Sequence, residues 1–144
     1  MPSRRKSREL ALQMLFQWEV GGHEPAKVLA SFLPATRAEA GVKEFARQLF
    51  EGTVADVPSI DPVLRSHATH WKLERMAAVD RNVLRLALFE LTHHPGTPPA
   101  VVINEALELA RRFSDAGSVE FVNGVLDAVR KDLPAHPHVE AQGS

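Results

Sequence analysis

The chain has 144 residues, enough for one ordinary domain or two small subdomains sharing a core that buries roughly two-thirds of the unfolded surface. The absence of cysteine excludes disulfides, thiolate catalysis and cysteine-ligated zinc and suits a reducing cytoplasm, and neither a signal peptide nor a membrane span is expected. The net charge of −1 conceals an asymmetry: the first eight residues carry Arg4, Arg5, Lys6 and Arg8 and no acid, so +4 sits on a body of −5. A basic arm on an acidic body points to a local polyanion contact and away from a globally basic nucleic-acid coat.

Residues 3 to 20 place Leu10, Ala11, Met14, Leu15 and Trp18 on one helical face, with Leu12 and Phe16 pointing elsewhere, and Gly21 and Gly22 stop the helix. Pro25 suits a first helical position, and Val28, Leu29, Phe32 and Leu33 give a short second helix ending at Pro34. Val42, Phe45, Ala46, Leu49 and Phe50 set a third helix from about Glu39 to Val57, with Glu39 and Lys43 as an external pair. Pro58 is expected to break it, and Asp61 with Pro62 to open a short helix through His67.

The segment HWKLERM leads into Val79 to Leu91, which is apolar around most of its circumference and reads as a buried central helix. Arg81, Asn82 and Arg85 form its narrow polar strip, Asp80 suits its first turn, and Glu90 lies on the apolar side, where burial demands a partner such as an arginine. HHPGTPP at 93 to 99 stops that helix. An amphipathic helix from Ala100 to Phe113 follows, with Glu108 and Arg112 as an external pair. After the loop SDAGS, the last helix carries Phe121, Val122, Val125, Leu126 and Val129. The chain is thus all-α, with about seven helices and no sheet. The break at Pro58 divides a subdomain at 1–57 from one at 58–133, and residues 134–144 are expected to be a disordered tail.

The arm can neutralise phosphates, with Ser3 and Ser7 adding hydrogen bonds, but alone it is a weak motif. An aromatic beside it strengthens the reading, since unpaired bases stack on aromatic faces, and Phe16 and Trp18 are the candidates. The histidine pairs His67 and His70, His93 and His94, and His136 and His138 have no third ligand at a diagnostic offset, so no metal site is expected. Glu105 and Glu108 read as solvated helix surface. Asn104 and Asn123 read as amides tying their helices to neighbours, and Gly124 as a point of close helix packing. No phosphate loop, nucleophile elbow or cofactor signature is present, so neither catalysis nor a cofactor is expected.

Three blocks, VDRNVLRLALFEL at 79–91, VINEALELARRF at 102–113 and FVNGVLD at 121–127, with RRKSRELALQMLFQWE at 4–19, resemble the bacterial NusB transcription antitermination family in order and spacing. The resemblance implies two three-helix bundles and no catalysis. It further implies binding of boxA RNA of ribosomal RNA operons together with ribosomal protein NusE, and then association with NusA and NusG on RNA polymerase. Carried over by position, it assigns RNA contact to Arg4, Arg5, Lys6, Arg8, Phe16 (tyrosine in many members) and Phe121. It assigns the NusE-facing side to Glu74 and Asp80. Some relatives self-associate, so a homodimer is a further possibility. Two rival readings are the RNA-binding part of a ribosomal RNA cytosine methyltransferase, which needs a cofactor domain and a cysteine this chain lacks, and a helical protein-interaction module with an inert arm.

Overall fold

Ser3 begins the first helix, α1 (Arg4–Glu19), by accepting a hydrogen bond from the Lys6 amide at 3.1 Å, which satisfies one of the free N–H groups of the first turn. The computed structural model describes residues 3–68 and 72–133. Gly22 turns the chain after α1 with a φ of 70°, a left-handed conformation that glycine adopts without a Cβ clash. Pro25 then opens α2 (Pro25–Ala35). The remaining helices are α3 (Ala40–His67), α4 (Ala78–His93), α5 (Pro99–Phe113) and α6 (Ala116–Asp132), with one 3-10 turn at Leu73–Arg75. Among the described residues there is no strand. The expected tail at 134–144, and His70, His136 and His138, lie outside the described residues.

The main departure from the sequence reading is α3. The two helices expected on either side of Pro58 are one, so the described residues form six α-helices and not seven. A proline inside a helix loses a backbone hydrogen bond and costs about 3 kcal/mol or more. Pro58 and Pro62 both face solvent, where water can satisfy the freed carbonyls, while Ile60 and Leu64 are buried and Asp61 pairs with Arg85 of α4 at 2.8 Å. Packing of that face outweighs the local penalty. The helix break expected at Pro58 is therefore absent.

Every residue of α4 from Asn82 to Leu91 is buried. Its neighbours are α1, α3, α5 and α6; α1, α2 and α3 pack on one another, as do α4, α5 and α6, giving two three-helix groups joined across α4. The polar strip of α4 is part of this joint. Arg81 donates to Glu19 at 2.6 Å and to the carbonyls of Leu73 and Met76 at 3.1 and 2.9 Å. Arg85 reaches Glu19 and Asp61, and Asn82, with no exposed surface, donates to Glu19 and to the Ala78 carbonyl. Burial pushes the Glu19 carboxyl up, but the hydrogen bonds from Arg81 and Arg85 outweigh it and hold the group below the usual carboxylate range.

One external pair differs from expectation. Glu108 pairs with Arg111, one residue nearer, because Arg112 turns back to Glu9 of α1 at 3.2 Å. Asn104, Asn123 and Gly124 are exposed, and a Cβ at residue 124 would meet nothing within 4 Å, so these positions tie no helices together.

Close packing does occur at Gly52 of α3, where a Cβ would lie 2.2 Å from Phe89 Cζ. Gly52→Ala is expected to lower stability by about 1–3 kcal/mol in urea unfolding, although alanine is the better helix former; equal or higher stability would refute this packing. His67 ties α3 to α6: Nδ1 donates to the Val63 carbonyl at 2.8 Å and Nε2 to Asp132 at 2.6 Å. Two donated bonds require the imidazolium, and the Val63 carbonyl and then the Asp132 carboxylate raise the His67 pKa above the ordinary value. Its stabilising effect is complete below the unfolded pKa and disappears as pH rises through the folded one. An NMR titration is expected to give a raised midpoint for His67, and Asp132→Asn to bring it down.

Candidate nucleic-acid interface

Successive residues of a helix point about 100° apart, so the four cations of the arm cannot share one direction, and α1 sends each to a different neighbour. Arg8 turns inward. With 5% of its surface exposed, it meets Glu90 of α4 in a two-pronged pair at 2.7 and 2.9 Å. The arginine partner that Glu90 needed is thus one of the residues assigned to the arm. By sequence the four cations are equivalent; in the fold Arg8 is a buried anchor whose guanidinium faces a carboxylate and not solvent.

Arg5 lies across to α5 and grips Glu105 through Nε and Nη2 at 3.1 and 2.8 Å while 60% of its side chain stays exposed. The Arg5 hydrogen bonds hold the Glu105 carboxyl below the usual range, so Glu105 is not the solvated residue expected from the sequence. Arg4 lays its guanidinium over the Phe45 ring, 3.7 Å from the centroid, and Lys6 remains exposed at 4.0 Å from Glu9. The hydroxyls expected to help bind phosphate are used internally: Ser3 caps α1, and buried Ser7 donates to the Val42 carbonyl at 2.8 Å.

Further along α1, Phe16 is 40% exposed and borders a cavity of about 330 Å³ with Gln13, Gln17, Val79 and Phe113. Phe121 of α6 borders a second cavity of about 320 Å³ with Arg75, Met76, Asp80 and Asp115. Val79 lines one and Asp80 the other; Phe113 lines one and Asp115 the other. The second half of α1, the first turn of α4 and the α5–α6 junction therefore bring Phe16 and Phe121 to one corner of the molecule. About 16 Å of helix, at 1.5 Å per residue, separates Phe16 from Arg5. The two lie within roughly 20° of each other around α1, so a strand can follow that helix from cation to ring.

Phe113 and Arg112 are the residues that sequence reasoning misses here. Phe113 continues the apolar spacing of α5 and reads as core, but it is the last residue of its helix and only half-buried. Arg112 lies 5.6 Å from its ring centroid. A terminal aromatic followed by Ser114 and Asp115, with no apolar residue beyond it to cover it, is the available signal.

The two acids assigned to the partner side have different surroundings. Glu74 sits in the 3-10 turn, 63% of its side chain exposed, paired with Arg65 at 2.7 Å. Asp80 is 8% exposed; its Oδ2 accepts from the Ser118 hydroxyl at 2.8 Å, and its Oδ1 has no partner among the described residues. A buried carboxylate oxygen left without a donor costs roughly 1–3 kcal/mol; the residue is one of those lining the Phe121 cavity.

Among the described residues no three His, Asp or Glu side chains cluster as metal ligands, and no helix is long and apolar enough to cross a membrane. The sequence profile of the NusB family matches residues 5–131. The chain belongs to the NusB family. It is 51% identical to the transcription antitermination protein NusB of Koribacter versatilis over 92% of each chain, and 46% identical to that of Solibacter usitatus over 93% and 92%. Its fold matches that of T. maritima NusB, with a TM-score of 0.85 at 35% identity over 96% and 97% of the two chains. It also matches a chain from a crystal structure of the antitermination factors NusB and NusE in complex with double-stranded RNA, with a TM-score of 0.82 at 27% identity over 90% and 97%.

The division of the arm has a direct test. Arg8→Ala strands the Glu90 carboxylate in the core and is expected to cost about 3–5 kcal/mol in chemical unfolding, whereas Arg4→Ala is expected to cost under about 1 kcal/mol. Equal effects of the two substitutions would contradict the burial of Arg8.

Proposed function

We propose that this chain is a noncatalytic RNA-binding antitermination factor that takes the boxA segment of nascent ribosomal RNA together with NusE and joins NusA and NusG on RNA polymerase in the cytoplasm. The observation that carries the reading is the run of exposed cations and rings along α1, from Arg4, Arg5 and Lys6 to Phe16 with Phe113 and on to Phe121. Cations take phosphates without regard to sequence, and half-exposed rings take unpaired bases. Family membership, and the likeness to a chain solved with NusE and RNA, support the same partners.

Arg4, Arg5 and Lys6 contact phosphate directly in this reading, and Arg8 acts through its hold on Glu90, which keeps the start of α1 in place. Phe16 lacks a tyrosine hydroxyl and contributes its face. NusE meets the acidic side at exposed Glu74 and beside Asp80, where basic side chains of the ribosomal protein complement the carboxylates. Adjacent RNA and protein surfaces make the two bindings reinforce each other.

Fluorescence anisotropy of dye-tagged boxA RNA and of a scrambled RNA, with and without NusE over a salt series, tests the reading. boxA is expected to bind more tightly, and NusE to tighten it further. Arg4→Ala with Lys6→Ala is expected to weaken both RNAs and reduce the log–log salt slope by about 0.7 for each phosphate that is no longer neutralised. Phe16→Ala and Phe113→Ala are expected to cost about 1–3 kcal/mol each with the slope unchanged. No binding of either RNA at low salt in the presence of NusE would refute the function. A dimer that RNA fails to dissociate would instead favour a protein-interaction module.

A further inference from the structure

We infer that the outer face of His93, at the end of α4, is a stacking platform for an unpaired RNA base, placed to receive the strand where it leaves the arm at Arg4. The inference rests on the RNA-binding reading above and adds a site to it. Arg4 covers the Phe45 ring; Phe45 meets His94 edge-on at 5.9 Å and 83°; His94 meets Phe89 edge-on at 5.5 Å and 70°; and Phe89 stacks on His93 at 4.7 Å and 18°. Five planar groups thus run without a break from the first residue of α1 to the last of α4.

The platform is built, not incidental. Phe89 is 7% exposed and lies flat against the backbone of α3 because residue 52 is glycine, in the middle of a helix where glycine costs about 1 kcal/mol relative to alanine. His93 then stacks on Phe89 from outside. Its inner face is covered, yet 48% of its side chain is exposed, so the exposure belongs to the outer face and edge. The ring is held in orientation by the Thr92 hydroxyl at 2.7 Å from Nδ1 and by Asp56 at 3.7 Å. A flat, half-exposed ring joined to a cation through a short chain of packed rings offers a base a face to stack on in single-stranded recognition. A protein partner would need apolar area around the ring, and its chain neighbours Thr92 and His94 supply little.

The charges around the platform balance, and Arg4 is the cation among them that pairs with no carboxylate. α1 contributes Arg4 and Arg8, α3 contributes Asp56, and α4 contributes Glu90 and the second imidazole, His94. Glu90 is occupied by Arg8 and Asp56 faces His93, which leaves Arg4 to attract phosphate. Burial, together with His93, Arg4 and Arg8, lowers the His94 pKa against the opposing pull of Glu90. A phosphate on Arg4 relieves part of that repulsion and favours the protonated ring, so binding through this end strengthens as pH falls.

The test uses the full chain with NusE and dye-tagged RNAs: boxA alone, and boxA lengthened by a run of uridines, at one end in one version and at the other end in a second. For the wild type, one lengthened RNA is expected to bind at least about fivefold more tightly than boxA alone, the lower bound of one stacked base. His93→Ala is expected to erase that gain without changing affinity for boxA alone, and His93→Phe, which keeps the ring, to restore it. Gains unchanged by His93→Ala, or absent with both extensions while boxA binds, would overturn the platform and leave the RNA-binding function standing. Failure of boxA itself to bind would overturn both.

Discussion

Two ions enclosed between helices fix the geometry of the functional surface. Arg8 and Glu90 are each nearly without exposed surface, and neither can be buried alone: the desolvation of an isolated ion exceeds anything packing returns, while a two-pronged pair recovers most of it. The pair therefore specifies one docking position of α1 on α4. Once Arg8 is committed inward, helical geometry decides the rest. Arg5 must lie toward α5, where Glu105 waits, and Arg4 toward α3, where Phe45 lies. The exposed arm takes its shape from the cation it does not expose.

A second set of buried charges performs the same service at the other end of α4. Glu19, Asp61, Arg81, Arg85 and Asn82 join α1, α3 and α4 through hydrogen bonds directed at fixed angles. Apolar contact alone tolerates small rotations of one helix on another; a guanidinium shared between two carboxylates does not. Asp61 also explains why α3 continues through Pro58 and Pro62. The last turns of that helix are held from the side by Arg85, Ile60 and Leu64, so the missing backbone bonds fall on the solvent face only. The long helix in turn carries Phe45 to the arm, and Gly52 and Asp56 to the end of α4.

The helical periodicity, the encircled character of α4 and the need of Glu90 for an arginine are all legible in the sequence, because each follows from local spacing or from the cost of burying a charge. The continuity of α3 is not, since proline's penalty is local and visible while the packing that outweighs it comes from residues more than twenty positions away. The arm illustrates the same limit. Four cations in a row look alike, and nothing in RRKSR distinguishes Arg8 from Arg5; only the position of Glu90 on another helix does. Phe113 is hidden by its own regularity, since its spacing is that of a core residue. Gly124 and Gly52 are the converse pair: the first looks like a point of close packing and stands on open surface, while the second has no distinguishing neighbour in the sequence and holds Phe89.

On the proposed function, the distribution of acids around the arm decides how tightly it can hold RNA. Arg5 is gripped by Glu105, Arg112 by Glu9, Lys6 lies 4.0 Å from the same Glu9, and Arg4 rests on Phe45. Each phosphate contact is therefore an exchange of one favourable partner for another and not the capture of a free cation. Exchange at exposed sites is worth little, since surface ion pairs contribute about 1 kcal/mol or less to begin with. An arm built this way cannot coat itself indiscriminately with nucleic acid, and its acids act as competitors that any polyanion must displace. The affinity that remains must come from elements a random strand lacks: rings that accept unpaired bases in the right order, and a protein partner whose binding adds contacts beside them. On that function the carboxylates of α1 and α5 would convert a generic phosphate binder into one whose useful affinity depends on sequence and on company.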